Sequence, residues 1–178
     1  MKRRHCVLAA LFAVAPSALA APRDEADIAR LRLRALLIPV PSVEASDLQN
    51  THLQARGGGV RAHEALDIPA RRGTPVLAVE DGRIAKLFLS KPGGLTIYHF
   101  DDALEFSYYY AHLDGYADGL REGMRVHKGQ VMGYVGSTGN AAPESPHLHF
   151  AIFRLGPERQ WWRGTPINPF SVWGVRPP

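Results

Sequence analysis

One cysteine, Cys6, occurs among the 178 residues, so no intrachain disulfide can form and no thiolate cluster can hold a metal. Long apolar runs are also scarce. The run from Val7 to Ala15 covers roughly ten residues, where about 20 are needed to cross a bilayer. With Lys2-Arg3-Arg4 before it and Ala18-Leu19-Ala20 after it, it has the three parts of a secretory signal, cleaved after Ala20. Cys6 lies inside that signal, preceded by Arg4-His5 rather than by the small and apolar residues of a lipid-attachment site. The remaining chain is expected to be exported to the periplasm or cell envelope, without cysteine and without a membrane span. An excess of basic charge is lacking too: the formal charge is +4, and removing Lys2, Arg3 and Arg4 leaves +1, so no nucleic-acid partner is implied. Gly57-Gly58-Gly59 has neither a preceding strand nor a following Gly-Lys-Ser/Thr, which argues against a phosphate-binding loop.

What is present suffices for one domain with its own core, since 46% of the chain is hydrophobic. From Arg23 to about Leu37, Ala26, Ile28, Leu31, Leu33, Leu36 and Leu37 approximate a helical stripe with acids early and arginines late. Ile38-Pro39-Val40-Pro41 ends it. The polar, turn-rich stretch through Gly59 is expected to run over the surface, so residues 21–55 read as a helix and linker. The following stretch reads as short strands: Thr74 to Val79, Gly82 to Leu89, Leu95 to Phe100, Phe106 to Leu113, Gln130 to Val135 and His147 to Phe153. Asp81-Gly82 and Pro92-Gly93-Gly94 look like hairpin turns. No amphipathic helix interrupts the strands, which predicts an all-β domain of antiparallel sheet over 56–170 and a tail over 171–178. Gly-x-x-Val recurs at Gly73 to Val76 and Gly123 to Val126, a hint of internal repetition.

The chemistry centres on Pro146-His147-Leu148-His149-Phe150-Ala151-Ile152-Phe153. Strand alternation puts both imidazoles on one face and Leu148, Phe150 and Ile152 on the other. Their Cα atoms then lie about 6.5 to 7 Å apart, so one can bind a metal while the other reaches a water on it. His63-Glu64-Ala65-Leu66-Asp67 superficially resembles a zinc-binding helix motif, but glycines before it and Pro69 after it oppose a helix, and Glu64 is not read as a general base. In an extended strand His63 and Asp67 would be about 13 Å apart, so His63 must sit on a bend. His63, Asp67 and one histidine of the strand make two nitrogens and one carboxylate, a common catalytic zinc set with a position open to water. In Tyr108-Tyr109-Tyr110-Ala111-His112-Leu113, alternation places Tyr108, Tyr110 and His112 on one face. His52, His99 and His127 are expected to be structural or at the surface. For Trp161, Trp162 and Tyr116 packing is expected ahead of groove lining.

These residues resemble a known family. His63-x-x-x-Asp67, Tyr110-Ala111-His112-Leu113 and His147-Leu148-His149-Phe150, with Arg72-Gly73-Thr74-Pro75-Val76 and Gly136-Ser137-Thr138-Gly139-Asn140 between them, are similar to the lysostaphin/LytM-type zinc metallopeptidases over roughly residues 56–170. The resemblance implies that His63, Asp67 and His149 hold one Zn²⁺ and that His112 and His147 flank the reacting carbonyl as general base and hydrogen-bond donors. It implies a small antiparallel β domain of duplicated hybrid-motif type with a groove across one sheet, and peptide crosslinks of bacterial peptidoglycan as substrate. The family often has glycine in place of Ala65 and an acid in place of Ala151. Some relatives that lack the ligands regulate cell-wall amidases, but this chain retains every one. A phosphocarrier is disfavoured by the signal and the aspartate. A monomer is expected, and a crosslink containing D-alanine and diaminopimelate is favoured faintly over a glycine bridge by the arginine-rich, lysine-poor composition.

Overall fold

The computed structural model describes residues 23–56 and 61–174; the expected signal over 1–20, Cys6 and Gly57-Gly58-Gly59 lie outside the described residues. Helix α1 (Arg23–Leu33) precedes the strands β1 (Ala55–Arg56), β2 (Arg61–Ala62), β3 (Leu66–Pro69), β4 (Pro75–Leu77), β5 (Gly82–Ser90), β6 (Gly94–Asp101), β7 (Phe106–Tyr116), β8 (Arg125–Val126), β9 (Val131–Val135), β10 (His147–Leu155) and β11 (Gly164–Ile167), and helix α2 (Pro169–Trp173) follows. Strands β1 and β2 form a small ribbon. The others make one sheet in the order β11-β10-β7-β6-β5-β8, with β3 on β10 and β4 reaching β7 through β9. The pairings are antiparallel, as expected of the strand pattern. Leu148, Phe150 and Ile152 of β10, Tyr108 and Tyr110 of β7 and Ile97 of β6 fill the core side, each worth about 1.5 to 3 kcal/mol when fully buried. The other face of β10 carries His147 and His149.

Helix α1 stops at Leu33, short of the expected Leu37. Ala35 turns left-handed (φ 50°), and the chain then lies along Val79, whose carbonyl accepts from the Leu37 amide at 3.0 Å. Leu36 is thereby delivered to the core. Ion pairs dock the helix: Arg154 meets the buried Asp27 at 2.6 Å, and Arg34 reaches Asp101 at 2.8 Å, Glu105 at 2.7 Å and Glu80 at 3.0 Å.

The stretch after the helix does not simply run over the surface. Val40 and Leu48 join the core, and Thr51 is buried against β3, as described below. Asp81-Gly82 is not a hairpin turn either, because β4 pairs with β9 and not with β5. Glycine is needed at 82 for space: a Cβ there would meet the Phe100 carbonyl oxygen at 2.1 Å and His99 Nε2 at 2.5 Å. Pro92-Gly93-Gly94 does join the paired β5 and β6, with Gly94 left-handed (φ 64°). The two Gly-x-x-Val segments behave alike, each glycine left-handed and each valine buried in a strand. Strand β11 and helix α2 had not been anticipated. Pro166 is tolerated because β11 is an edge strand, and Asn168-Pro169 is a helix-start signal, with the Asn168 side chain accepting from the Phe170 amide at 3.1 Å.

Candidate metal centre

His63 follows β2 and Asp67 lies on β3, and the chain bends between them at Glu64, which is left-handed (φ 59°). The bend replaces the extended separation with contact: His63 Nε2 stands 3.0 Å from Asp67 Oδ1. Strand β10 pairs with β3 so that His149 faces Asp67 in register. His149 Nδ1 lies 3.1 Å from Asp67 Oδ1 and 3.0 Å from His63 Nε2. These residues form a cluster whose ligand atoms all lie within 4.8 Å of one another. Arms of about 2.0 to 2.2 Å to one tetrahedral ion put such atoms roughly 3.2 to 3.6 Å apart, so a small relaxation accommodates zinc.

The residues around the cluster prepare it to bind a cation. His63 Nδ1 donates to the Thr51 carbonyl at 3.1 Å, which leaves the Nε2 lone pair aimed at the cluster. The Thr51 hydroxyl accepts from the Asp67 amide at 3.0 Å and donates to the Ala65 carbonyl at 3.2 Å. Burial alone would raise the Asp67 carboxyl, but its contacts with His149 and His63 outweigh it and hold the group well below the usual carboxylate range. Burial lowers His149, against the opposing pull of Asp67, so the imidazole is kept neutral as a ligand must be. Thr51 carries no periodic or motif signal and was missed by the sequence reading.

His112 reaches the same place by an unexpected route. Alternation along β7 would leave it beside Tyr108 and Tyr110, which are core residues. Instead the β6–β7 register slips between Leu95 and Ile97, and His112 adopts a left-handed φ of 60°. Its ring turns to the histidine face, 5.6 Å from His149 and 5.0 Å from His147 between centroids. A left-handed non-glycine residue costs of order 1 kcal/mol or more and persists where its surroundings enforce it. Here the His112 amide donates to the Gly93 carbonyl and Nδ1 to the Thr138 carbonyl, both at 2.8 Å. His147 is held likewise, Nδ1 donating to the Ser145 carbonyl at 2.9 Å, with Nε2 3.8 Å from Asp67 Oδ1. In neutral form both rings therefore carry the lone pair on Nε2. Burial pushes His112 down to about 4, partly opposed by its bond to Thr138.

All five residues line one cleft of about 730 Å³, with Tyr109, Ala151 and Phe153 among its other walls. Ala151 follows the histidine pair on the same face, so no second acid joins the cluster from that position. Among the described residues the other histidines stay apart from it: His99 is in the core and His127 is exposed near Asp81. The His52 carbonyl accepts from the Glu64 amide at 2.9 Å, which supports the bend.

Residues 61–169 match the sequence profile of peptidase family M23. An L-Ala–D-Glu endopeptidase of Bacillus subtilis is 35% identical over 129 residues, 69% of this chain and 39% of that protein. The catalytic domain of lysostaphin from Staphylococcus simulans matches with a TM-score of 0.54 at 26% identity, covering 80% of this chain and 93% of that one. A zinc-containing peptidase from Vibrio cholerae gives a TM-score of 0.60 at 22% identity, over 81% of this chain and 41% of that one, a likeness of fold. The chain spans less than half the length of the curated relatives it matches.

Proposed function

The chain belongs to peptidase family M23, and on that premise we propose that it is an exported zinc metalloendopeptidase that hydrolyses peptide crosslinks of bacterial peptidoglycan. The observation that carries this reading is the convergence of His63, Asp67 and His149 with two further histidines whose Nε2 atoms have no backbone partner among the described residues. The first three would hold Zn²⁺, which when bound supplies Lewis acidity, polarising a carbonyl and lowering the pKa of a water toward about 7.

His112 and His147 would do the proton work. Each has Nδ1 committed to a carbonyl, so Nε2 is the site that takes a proton from the attacking water. The same nitrogen, once protonated, would hydrogen-bond the developing oxyanion and then pass its proton to the departing amine, which restores the neutral ring. Burial pushes His112 down to about 4, so its Nε2 lone pair is available at neutral pH. Residues 1–20 would direct export to the periplasm or cell envelope, and the chain would act as a monomer. The presence of the whole set favours catalysis over the non-catalytic role of activating amidases.

The test is digestion of purified sacculi by the zinc-loaded protein, using walls crosslinked through diaminopimelate and walls with glycine bridges. Soluble fragments from the first, identified by mass, are expected. Release from neither, together with stimulation of an amidase, would replace the peptidase reading by the regulatory one.

A further inference from the structure

The face that carries the histidines continues beyond the cleft. His149 lies opposite Ala111 of β7, and Phe88 of β5 lies opposite Thr96 of β6. Thr96 itself sits at the slip between the Leu95–Leu113 and Ile97–Tyr110 pairs, beside Ala111 and His112. One row thus crosses β10, β7, β6 and β5 from His149 to Phe88, three strand spacings or about 14 Å.

Aromatic rings follow this direction. Tyr109, a wall of the cleft, meets His149 edge-on at 5.9 Å and Tyr98 at 4.7 Å. Trp161, from the connection between β10 and β11, folds over Tyr98 at 4.8 Å and Phe88 at 5.2 Å. Trp162 stands edge-on to Trp161 at 5.2 Å. Packing accounts for Trp161, but not for its neighbours: Trp162 is 61% exposed and Phe88 40%. A surface that keeps large apolar rings in water next to a cleft is a candidate contact surface. Lys86, opposite Tyr98, is paired with Glu122 at 2.8 Å.

The reach of the row selects the occupant. About 14 Å is the length of roughly four extended residues, and a stem peptide of that length is joined at its other end to an amino sugar of the glycan strand. Sugar rings present an apolar C–H face that packs on an indole or phenyl ring while their hydroxyls stay in water. We propose that Phe88 and Trp162, propped by Trp161, form a subsite for the N-acetylated amino-sugar strand of peptidoglycan. This rests on the peptidoglycan reading above and deepens it.

The test uses the full-length zinc-loaded protein with Trp162→Ala, Phe88→Ala and the double variant; a thermal melt equal to that of the parent confirms that they fold. Cleavage is compared on glycan-bearing crosslinked fragments and on the same crosslinked peptides stripped of sugar. Half-saturation on the first should rise roughly three- to tenfold per ring, with the rate at saturation and the sugar-free kinetics unchanged. Equal losses on both substrates would give the shelf to the peptide, and no loss on either would remove it from binding; each overturns the proposal. Co-sedimentation with intact sacculi and quenching of tryptophan fluorescence by N-acetylglucosamine oligomers are measured alongside. If the parent cleaves nothing, the peptidase reading fails by itself. Weaker sedimentation and quenching in the variants would then still uphold the shelf, and unchanged values would refute it.

Discussion

Replacing Thr51 by valine keeps the shape and the β-branching of a residue only 8% exposed while deleting its hydroxyl. Two hydrogen bonds go with it, to the Ala65 carbonyl and from the Asp67 amide. At about 0.5 to 1.5 kcal/mol net for each, Thr51→Val should lose about 1 to 3 kcal/mol of stability. The backbone carbonyl that accepts from His63 Nδ1 remains, so His63 stays oriented and the damage falls on the peptide that carries Asp67. Loss of such a supporting contact typically weakens metal affinity by about 10- to 100-fold, and the lower end is expected here because one ligand of three is affected. Competition against a chromophoric chelator measures the zinc affinity, and urea unfolding of the zinc-free protein measures the stability. Thr51→Ser, which retains the hydroxyl, should stay within about threefold of the parent in affinity, by the same supporting-contact argument. A valine variant that loses the stability yet binds zinc as the parent does would refute the claim that Thr51 positions Asp67.

Ligand and proton carrier should separate cleanly: His63→Ala, Asp67→Ala and His149→Ala should abolish stoichiometric zinc in elemental analysis with the fold largely kept. His112→Ala and His147→Ala should retain zinc and lose activity by roughly 10² to 10⁴; a zinc-free His147→Ala beside a zinc-loaded His149→Ala would invert the assignment. His99 gives a pH signature. Burial lowers it from 6.5 to about 4, partly offset by Asp101, Asp102 and Asp81, so the unfolded chain takes up the proton first as pH falls. Its stabilising contribution is full above about 7 and is lost between about 6.5 and 4, amounting to about 2 kcal/mol by pH 5. Between pH 7 and pH 5, His99→Phe should therefore lose about 2 kcal/mol less than the parent in denaturant unfolding, and equal losses would mean that His99 is protonated in the fold.

Where the deciding signal was local, it was legible in the chain. The alternation of His147 and His149 with Leu148, Phe150 and Ile152 is a property of a single strand, and β10 follows it, with those three residues fully buried. The spacing of His63 and Asp67 demanded a bend, and Glu64 supplies it. Alternation misplaced His112 because the slip that turns it is imposed from outside β7, by the carbonyls of Gly93 and Thr138. Thr51 escaped notice for a related reason: it acts on Ala65 and Asp67, 14 and 16 residues further on, through contacts that leave no pattern among polar turn residues. Asp81-Gly82 had the composition of a hairpin turn, yet the partner of β4 is β9, a choice made by distant strands.

The ion pairs of α1 bear on where the gene can be cut. Asp101 is 1% exposed and takes Arg34 as its cation, while the Arg34 guanidinium also lies over the Phe106 ring at 4.9 Å. A recombinant fragment that begins at residue 61, where the family match starts, would leave Asp101, Glu80 and Glu105 without their shared arginine, uncover the core beneath Leu31 and Leu36, and remove Thr51 from under His63. Breaking a buried pair from one side commonly destabilises by about 3 to 5 kcal/mol, a large part of what holds a domain of this size together. The smallest autonomous unit is therefore longer than the family-matched stretch, and expression plasmids should open ahead of Arg23.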